Sequence, residues 1–558
     1  MARLDRLGPA KEVAQIGAVI GREFSHALLA AVVRKPETEL QSALDRLVEA
    51  GLLFRQGVAP HASYLFKHAL VQDAAYGTLL REPRRELHAR IAETLESQFG
   101  EIAENRPELL ARHCTEARLI AKAAGLWGKA GQRSLARSAL VEAAEQLARA
   151  LDQIATLQST PALRREQISL QVALITPLIH VKGYAAPETK AAVERARLLI
   201  EEAQARGEPP EDPLLLFSVL YGFWVANFVA FNGDICRDLA SRFLALAAKD
   251  GTAAPPMIGR YIMGNSSLFT GNLIEARAHY DRAVTLYAAG EHRPLAMRFG
   301  QDVRVAVLSF RSWALWLLGY PDAALVDANQ ALRDAREIDH AATLMFALAL
   351  TPQAHFLSAD YATVSAANDK LLALAYDKNA RYWKAVGTVL KGNLFAVTGR
   401  TLDAIQEITS GLTAFRSTGA TLYVPSWLSY LARAYADLGK IDDAWRCIGE
   451  ATAAIEMTKQ RWCEAEVNRV AGEITLMSPE PDAAKAQEYF ERALAVARQQ
   501  QAKSWELRAT MSMARLWRDQ GKCKEARDLL TPIYNWFTEG FDTCDLKEAK
   551  ALLAALAS

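Results

Sequence analysis

The stretch MGNSSLFTGNLIEARAHYDRAVTLY, residues 263–287, places Gly264, Gly271, Ala276, Tyr280 and Ala283 at set intervals. Small residues fall seven, five and seven positions apart, with one bulky ring between the last two. The same offsets return at Gly392, Gly399, Ala404, Ile408 and Gly411, and again at Ala432, Gly439, Ala444 and Ala451. They return also at Ser312, Gly319, Ala324 and Ala331, and with fewer matches at Ala486, Phe490 and Ala493 and at Ala514, Gly521 and Ala526. An early copy is Gly131, Ser138, Ala143, Leu147 and Ala150. A helix pair explains the spacing. The first small residue lets one helix meet the next closely. The middle glycine ends the first helix in a left-handed turn that other residues avoid. The following alanines lie on one face of the second helix. A single pair cannot bury its apolar face, so pairs must stack into a solenoid.

The pattern resembles the tetratricopeptide repeat. The alanine opening the second helix recurs at 276, 324, 404, 444, 486 and 526, with Asp238 and Ser365 in its place. The steps are about 40 residues, against about 34 in the family. About ten units are expected between residues 107 and 540, one of them degenerate, with DLKEAKALLAALA as a capping helix. The expected fold is all-α: a right-handed, TPR-like α-solenoid over residues 101–544, a cap over 545–558, and a different domain over 1–100.

That N-terminal segment breaks the pattern. VAQIGAVIG, FSHALLAAVV and TELQSALDRLVEAGLL read as three helices, the third opened by Thr38 and closed by Gly51. LFRQG and SYLFKHAL then read as a small β-hairpin. Three helices and a hairpin make a winged helix. The next helical segment is expected to break at Pro83. The third helix would expose Glu39, Asp45 and Glu49 against Arg46 alone, a poor surface for phosphates. The basic cluster Arg81, Arg84, Arg85, His88 and Arg90 is balanced by Glu82 and Glu86 and reads as a solvated face. Arg112–Cys114 (RHC) reads as ordinary helix surface.

Composition narrows the function classes. Lys plus Arg is 65 and Asp plus Glu is 64 in 558 residues, a formal charge of +1, so no global field draws nucleic acid or anionic membrane. No apolar run approaches the roughly 20 residues that span a bilayer, and the N-terminus lacks a signal-peptide core. Six scattered cysteines without a C-x-x-C pair suit a reducing, cytoplasmic setting and argue against zinc or disulfides. No catalytic motif is present, and neither a metal nor another cofactor is expected. His61 and His68 have no cysteine or carboxylate at ligand spacing. The tryptophans at 224, 313, 316, 383, 427 and 505 sit in helix patterns and read as inter-helix core.

The segments IGAVIGREFSHALLAAVV, ALDRLVEAGLLFRQG and ASYLFKHALVQDAAYGTLLREPRRELHARIAETLE resemble the part that follows the nucleotide-binding module in bacterial STAND-class ATPases. The end, QQQAKSWELRATMSMARLWRDQGKCKEARDLLTPIYNWFTEGFDTCDLKEAKALL, is similar to the carboxy-terminus of members that also carry a nucleotide cyclase domain. The chain has no G-x-x-x-x-G-K-[ST] run, so the ATPase and cyclase activities of those longer proteins are not expected here. MARLDRLGP resembles their last helix before the winged helix. The resemblance therefore implies the carboxy-terminal half of that architecture, encoded separately or truncated. It also puts His68 where those proteins contact a nucleotide phosphate; the alternative is a half-buried histidine on the wing.

The expected role is a regulatory module that binds a protein or peptide on the concave face of the array and works with a nucleotide-binding or cyclase domain. Asn265, Asn393, Tyr430 and Arg433 are the groove candidates by helical position. A transcription regulator using the winged helix on DNA is the other class left open.

Overall fold

The computed structural model describes residues 7–208, 211–249 and 251–557. The first six residues of MARLDRLGP lie outside that range. The chain divides into two compact units: the first runs to Leu170 without 135–141, and the second comprises Leu135–Val141 and Gln171 onward. Compactness thus puts the division some way past residue 100, because the first helices after the N-terminal segment pack onto it.

The first unit opens with α1 (Pro9–Ile20), β1 (Glu23–Ser25), α2 (His26–Val33), α3 (Glu37–Glu49), β2 (Leu53–Gln56) and β3 (Ser63–Phe66). The strands form one antiparallel sheet in the order β1–β3–β2, with Phe24 opposite Tyr64 and Phe54 opposite Leu65. β1 is absent from the sequence reading, since three residues are too few to show a period of two. Phe24 stacks on Tyr64 at 5.8 Å, and Gly17 makes room for it: a Cβ there would lie 2.7 Å from the Phe24 ring. Thr38 does not cap α3; Pro36 holds the N-cap position and no side chain bonds to the first turn. Gly51 does close it, at φ +65°, with Leu52 N–H donating to Leu47 O at 3.0 Å.

Next come α4 (Ala69–Gly77), α5 (Arg81–Gln98), α6 (Gly100–Asn105) and α7 (Pro107–Glu116). Pro83 does not break α5. It sits in the first turn, where an amide has no intrahelical partner to lose. His88 is not on the solvated basic face, and RHC is not helix surface at His113 and Cys114: all three are buried. His88 Nδ1 meets His113 Nδ1 at 2.9 Å, and its Nε2 lies 3.2 Å from the Tyr76 hydroxyl. Burial, with Arg112 next in weight, lowers His88 to about 4 and His113 to about 3. The pair is therefore neutral at pH 7. Helices α8 (Ile120–Ala136), α9 (Leu140–Ile154) and α10 (Pro161–Val181) follow. Gly131 repeats the small-residue contact, its missing Cβ leaving space for Leu147.

The second unit is a TPR-like α-solenoid. After α11 (Pro187–Ala205) it runs through α12 (Leu214–Val229) and α13 (Gly233–Ala247), then α14 (Ala254–Phe269) and α15 (Leu273–Leu286). Two short helices, α16 (Ala289–His292) and α17 (Ala296–Phe299), precede α18 (Val303–Leu317) and α19 (Pro321–Ile338). The next pair is split, α20 (Ala341–Leu350) and α21 (Pro352–Leu357) facing α22 (Tyr361–Asp377). Regular pairs return with α23 (Arg381–Val397) and α24 (Thr401–Ser417), α25 (Val424–Asp437) and α26 (Ile441–Thr458), and α27 (Glu464–Met477) and α28 (Ala483–Gln500). α29 (Lys503–Asp519), α30 (Cys523–Trp536) and α31 (Cys544–Ala555) close the unit.

Within pairs, the structure puts the spaced residues at the contacts. A Cβ on Gly264 would come within 2.5 Å of the Tyr280 ring, and one on Gly392 within 2.7 Å of Ile408. Ala276, Tyr280, Ala283, Ala404, Ala444, Ala451 and Ala526 are buried. Gly271, Gly399, Gly439 and Gly521 have φ between +73° and +87°.

Early turns meet late loops edge to edge. Val229 O accepts from Thr421 N–H and Leu422 N–H, each at 2.9 Å, and Phe269 O accepts from Arg461 N–H at 2.8 Å. Ser504 Oγ donates to Trp316 O, 188 residues away, at 2.5 Å. Glu539 accepts from Asp322 N–H and Ala323 N–H at 3.0 Å. The acceptors Val229, Phe269 and Trp316 belong to the last turns of α12, α14 and α18, whose carbonyls have no partner inside their own helix. Aromatic rings fill the space behind this seam. Phe269 touches Phe228, Phe310, Trp313, Tyr423 and Trp462 with centroids 5.1–6.1 Å apart. The six tryptophans assigned to core are all buried.

Candidate binding face of the helix array

The first helix of each pair turns one side inward. Asn265, Asn393, Tyr430 and Arg433 all sit on such helices, and the structure separates them. Asn265 is fully buried inside its pair and is no groove residue: its Oδ1 accepts from the Tyr280 hydroxyl at 2.6 Å. The extra space left by Gly264 draws the Tyr280 ring in, and the amide beside it satisfies the hydroxyl. Arg433 is exposed and paired with Asp437 at 2.9 Å and Glu473 at 2.7 Å.

Asn393 and Tyr430 come together. Both line a cavity with Trp313, Gln353, Tyr423, Ser426, Trp427 and Trp462. A second cavity shares Gln353 and Asn393 and adds Phe356 and Asn368. Their free volumes are about 20 and 10 Å³ respectively, room for one water each. The Asn368 amide is oriented by its surroundings. Its Nδ2 donates to Gly387 O at 3.0 Å, which leaves Oδ1 as an acceptor without a partner. Asn393 Oδ1 is likewise buried and unpartnered. No charged residue lines either cavity.

One step along the same face lies a set of inward ion pairs. Arg469 forms a two-point contact with Glu466 at 2.7 Å and also reaches Glu473. Arg508 donates to Asp545 at 2.8 Å and to Leu357 O at 3.0 Å, with its guanidinium over the Trp316 and Trp505 rings. Burial alone would raise the Glu473 carboxyl, but Arg469 and Arg433 outweigh it and hold it below the ordinary range. Burial raises Asp545, against the pull of Arg508. The cations here are spent on their own carboxylates.

Gln353, Asn368, Arg469 and Arg508 are absent from the sequence reading. A signal was present for two of them. Arg469 and Arg508 each stand on the first helix of a pair, where a charge that is buried needs a partner. Gln353 and Asn368 gave none, because their pair departs from the repeat spacing.

His68 is exposed, at the N-cap position of α4, and its side chain makes no capping bond. It is therefore not the half-buried wing histidine. Near it Phe54, Leu65 and Leu70 are also exposed. Among the described residues, no group of three or more His, Cys, Asp or Glu side chains could hold a metal, and no helix is long and apolar enough to cross a membrane.

No family model matches the chain. A protein of uncharacterised function from Rhizobium meliloti is 27% identical over 477 residues, 84% of this chain and 45% of the relative. The chain thus spans less than half the length of that curated relative. Among solved structures, a Rap protein complexed with competence and sporulation factor aligns with TM-score 0.46 and 13% identity, over 70% of this chain and 99% of its own. A Rap conjugation gene regulator in complex with the Phr* peptide aligns with TM-score 0.38 and 9% identity, over 72% and 97%. A STAND protein with a tetratricopeptide repeat sensor from Pyrococcus horikoshii aligns with TM-score 0.24 and 11% identity, over 98% and 65%. These likenesses concern the arrangement of helices alone.

Proposed function

We propose that the chain is a non-catalytic sensor module of a STAND-type signalling system, which binds a protein or peptide on the inward face of its array. The observation that carries this reading is the meeting of Asn393 and Tyr430 at cavities with unpartnered buried acceptors, beside charges that are already paired. The order helix, strand, helix, helix, strand, strand in the first unit supports a winged helix there. In this reading the winged helix relays ligand state to a nucleotide-binding or cyclase partner domain, with His68, exposed, free to meet its nucleotide. The setting is cytoplasmic, and the domain boundaries by function remain 1–100, 101–544 and 545–558.

The test is a photo-crosslinking amino acid at position 433 of the full chain, irradiated in cell extract. A discrete protein or peptide adduct, lost when Asn393 is replaced by Leu, is the expected result; no adduct in any extract overturns the reading. Cyclase and ATPase assays of the purified chain are expected to be blank. A salt-dependent gel shift would instead favour the winged helix on DNA.

A further inference from the structure

We infer that Arg260, His279 and Arg282 form a binding site for a phosphate dianion, free or carried as a monoester, where α13 and α15 flank α14. None of the three lines the cavities around Asn393, so this goes beyond the function proposed above. Short-range geometry brings them together. Arg260 Nη1 lies 3.3 Å from His279 Nδ1. A guanidinium can only donate, so Nδ1 accepts, and the neutral ring carries its proton on Nε2. His279 and Arg282 are three positions apart on α15 and share a face. Solvent reaches all three: Arg282 is exposed, Arg260 is half-buried, and the His279 side chain is 14% exposed.

What the cluster lacks is an acid. Counting from the repeat glycines sets Met263 level with Arg311 and Lys391, and His279 level with Asp327 and Glu407. In those two pairs the cation meets the acid. Arg311 holds Asp327 at 2.6 and 2.9 Å, and Lys391 holds Glu407 at 2.8 Å. Here an imidazole replaces the acid, and the cation stands one turn earlier, at Arg260. The neighbouring carboxylate, Glu275, is already held at two points by Arg237, at 3.0 and 3.3 Å. On α13, Arg242 and Asp238 pair with each other at 2.9 Å. Among the described residues neither Arg260 nor Arg282 has an ion-pair partner. Burial, and then Arg282, lower Arg260 below the ordinary arginine range. Arg237, Arg260 and Arg282 thus stand against Glu275 alone, an excess of two positive charges. A phosphate monoester carries about −1.5 to −2 near pH 7, with three acceptor oxygens, and offsets that excess. A lone carboxylate would leave one charge uncompensated.

The experiment titrates the full chain with inorganic phosphate and with N-acetyl-phosphoserine amide, and with glutarate as the dicarboxylate comparison. Binding is read by phosphorus NMR line broadening and by the melting temperature. Broadening and a raised melting temperature with a phosphate probe are the expected result. Binding of both probes assigns a site for bare phosphate; binding of the ester alone assigns a phosphorylated side chain as its carrier. Arg260→Gln and Arg282→Gln should each weaken binding by about tenfold or more, the loss of a charge-assisted hydrogen bond. Each removes an unpaired charge, so the ligand-free melting temperature should hold or rise. Arg282 is exposed, so its variant remains a test even where Arg260→Gln folds poorly. Arg242→Gln, whose arginine is already paired with Asp238, should leave binding unchanged. No response to either phosphate probe overturns the inference. So does a response that persists in both variants, or one that glutarate matches.

Discussion

Gly264 has no alternative at its position. Its absent Cβ is where the Tyr280 ring sits, and that ring holds the Asn265 amide. Ala283 is packed just as tightly on the second helix, so Ala283→Leu should cost about 1–3 kcal/mol of overpacking in urea denaturation of the chain. An unchanged midpoint would break the link between small residues and helix contact. The histidines of the first unit make a prediction with a sign. His88 and His113 are held near 4 and 3, below their unfolded value. A histidine with a depressed folded pKa favours the native state above its unfolded pKa, and that benefit fades as pH falls toward the folded value. Stability near the pair should therefore drop as pH falls from about 6.5 toward 4. Hydrogen exchange of peptides covering 86–116, corrected for intrinsic rate, would show it. Exchange independent of pH would mean the rings are not buried neutral.

At the scale of elements, the turn glycines divide into two kinds. Gly439 and Gly319 both have positive φ, at +73° and +92°. A Cβ on Gly439 meets nothing within 4 Å, whereas one on Gly319 would lie 2.5 Å from the Trp536 ring and 2.9 Å from Lys503. Gly439→Ala should cost about 1–2 kcal/mol, the strain of a left-handed alanine. Gly319→Ala should cost more, because it also pries the seam, and the difference should appear as a lower melting temperature. Equal losses would mean the seam adds nothing at that site. The seven, five and seven spacing was enough to read the pairs, since it follows from helix geometry. It was not enough to tell these glycines apart, because the partners of Gly319 lie more than 180 positions away. Short elements were also hidden: β1 has three residues, and its pairing with β3 depends on where the sheet closes.

For the second unit as a whole, the seam changes how the array should respond to stress. An open solenoid frays repeat by repeat, since each unit touches only its neighbours. Here Glu539 holds the amides of Asp322 and Ala323 across 217 and 216 residues. Glu539→Ala should therefore speed exchange at the start of α19 as well as near position 539. A change confined to the neighbourhood of 539 would count against a joined array. The candidate site belongs to this scale too. Trp313 and Gln353 come from the early pairs and Tyr430 and Trp462 from the late ones, so the cavity exists only because the two halves meet.

The helices, their close pairing and their stacking were determined by the sequence itself. Each rests on residues a few turns apart, and local geometry converts spacing into contact. Which inward side chains remain available was decided by the tertiary structure alone. Asn265 and Asn393 occupy equivalent places in their repeats, yet the oxygen of one accepts from Tyr280 and that of the other lies unpaired beside a cavity. The difference comes from distant chain brought alongside, and the free energy of burying an amide depends on every neighbour present, whatever its position in the sequence.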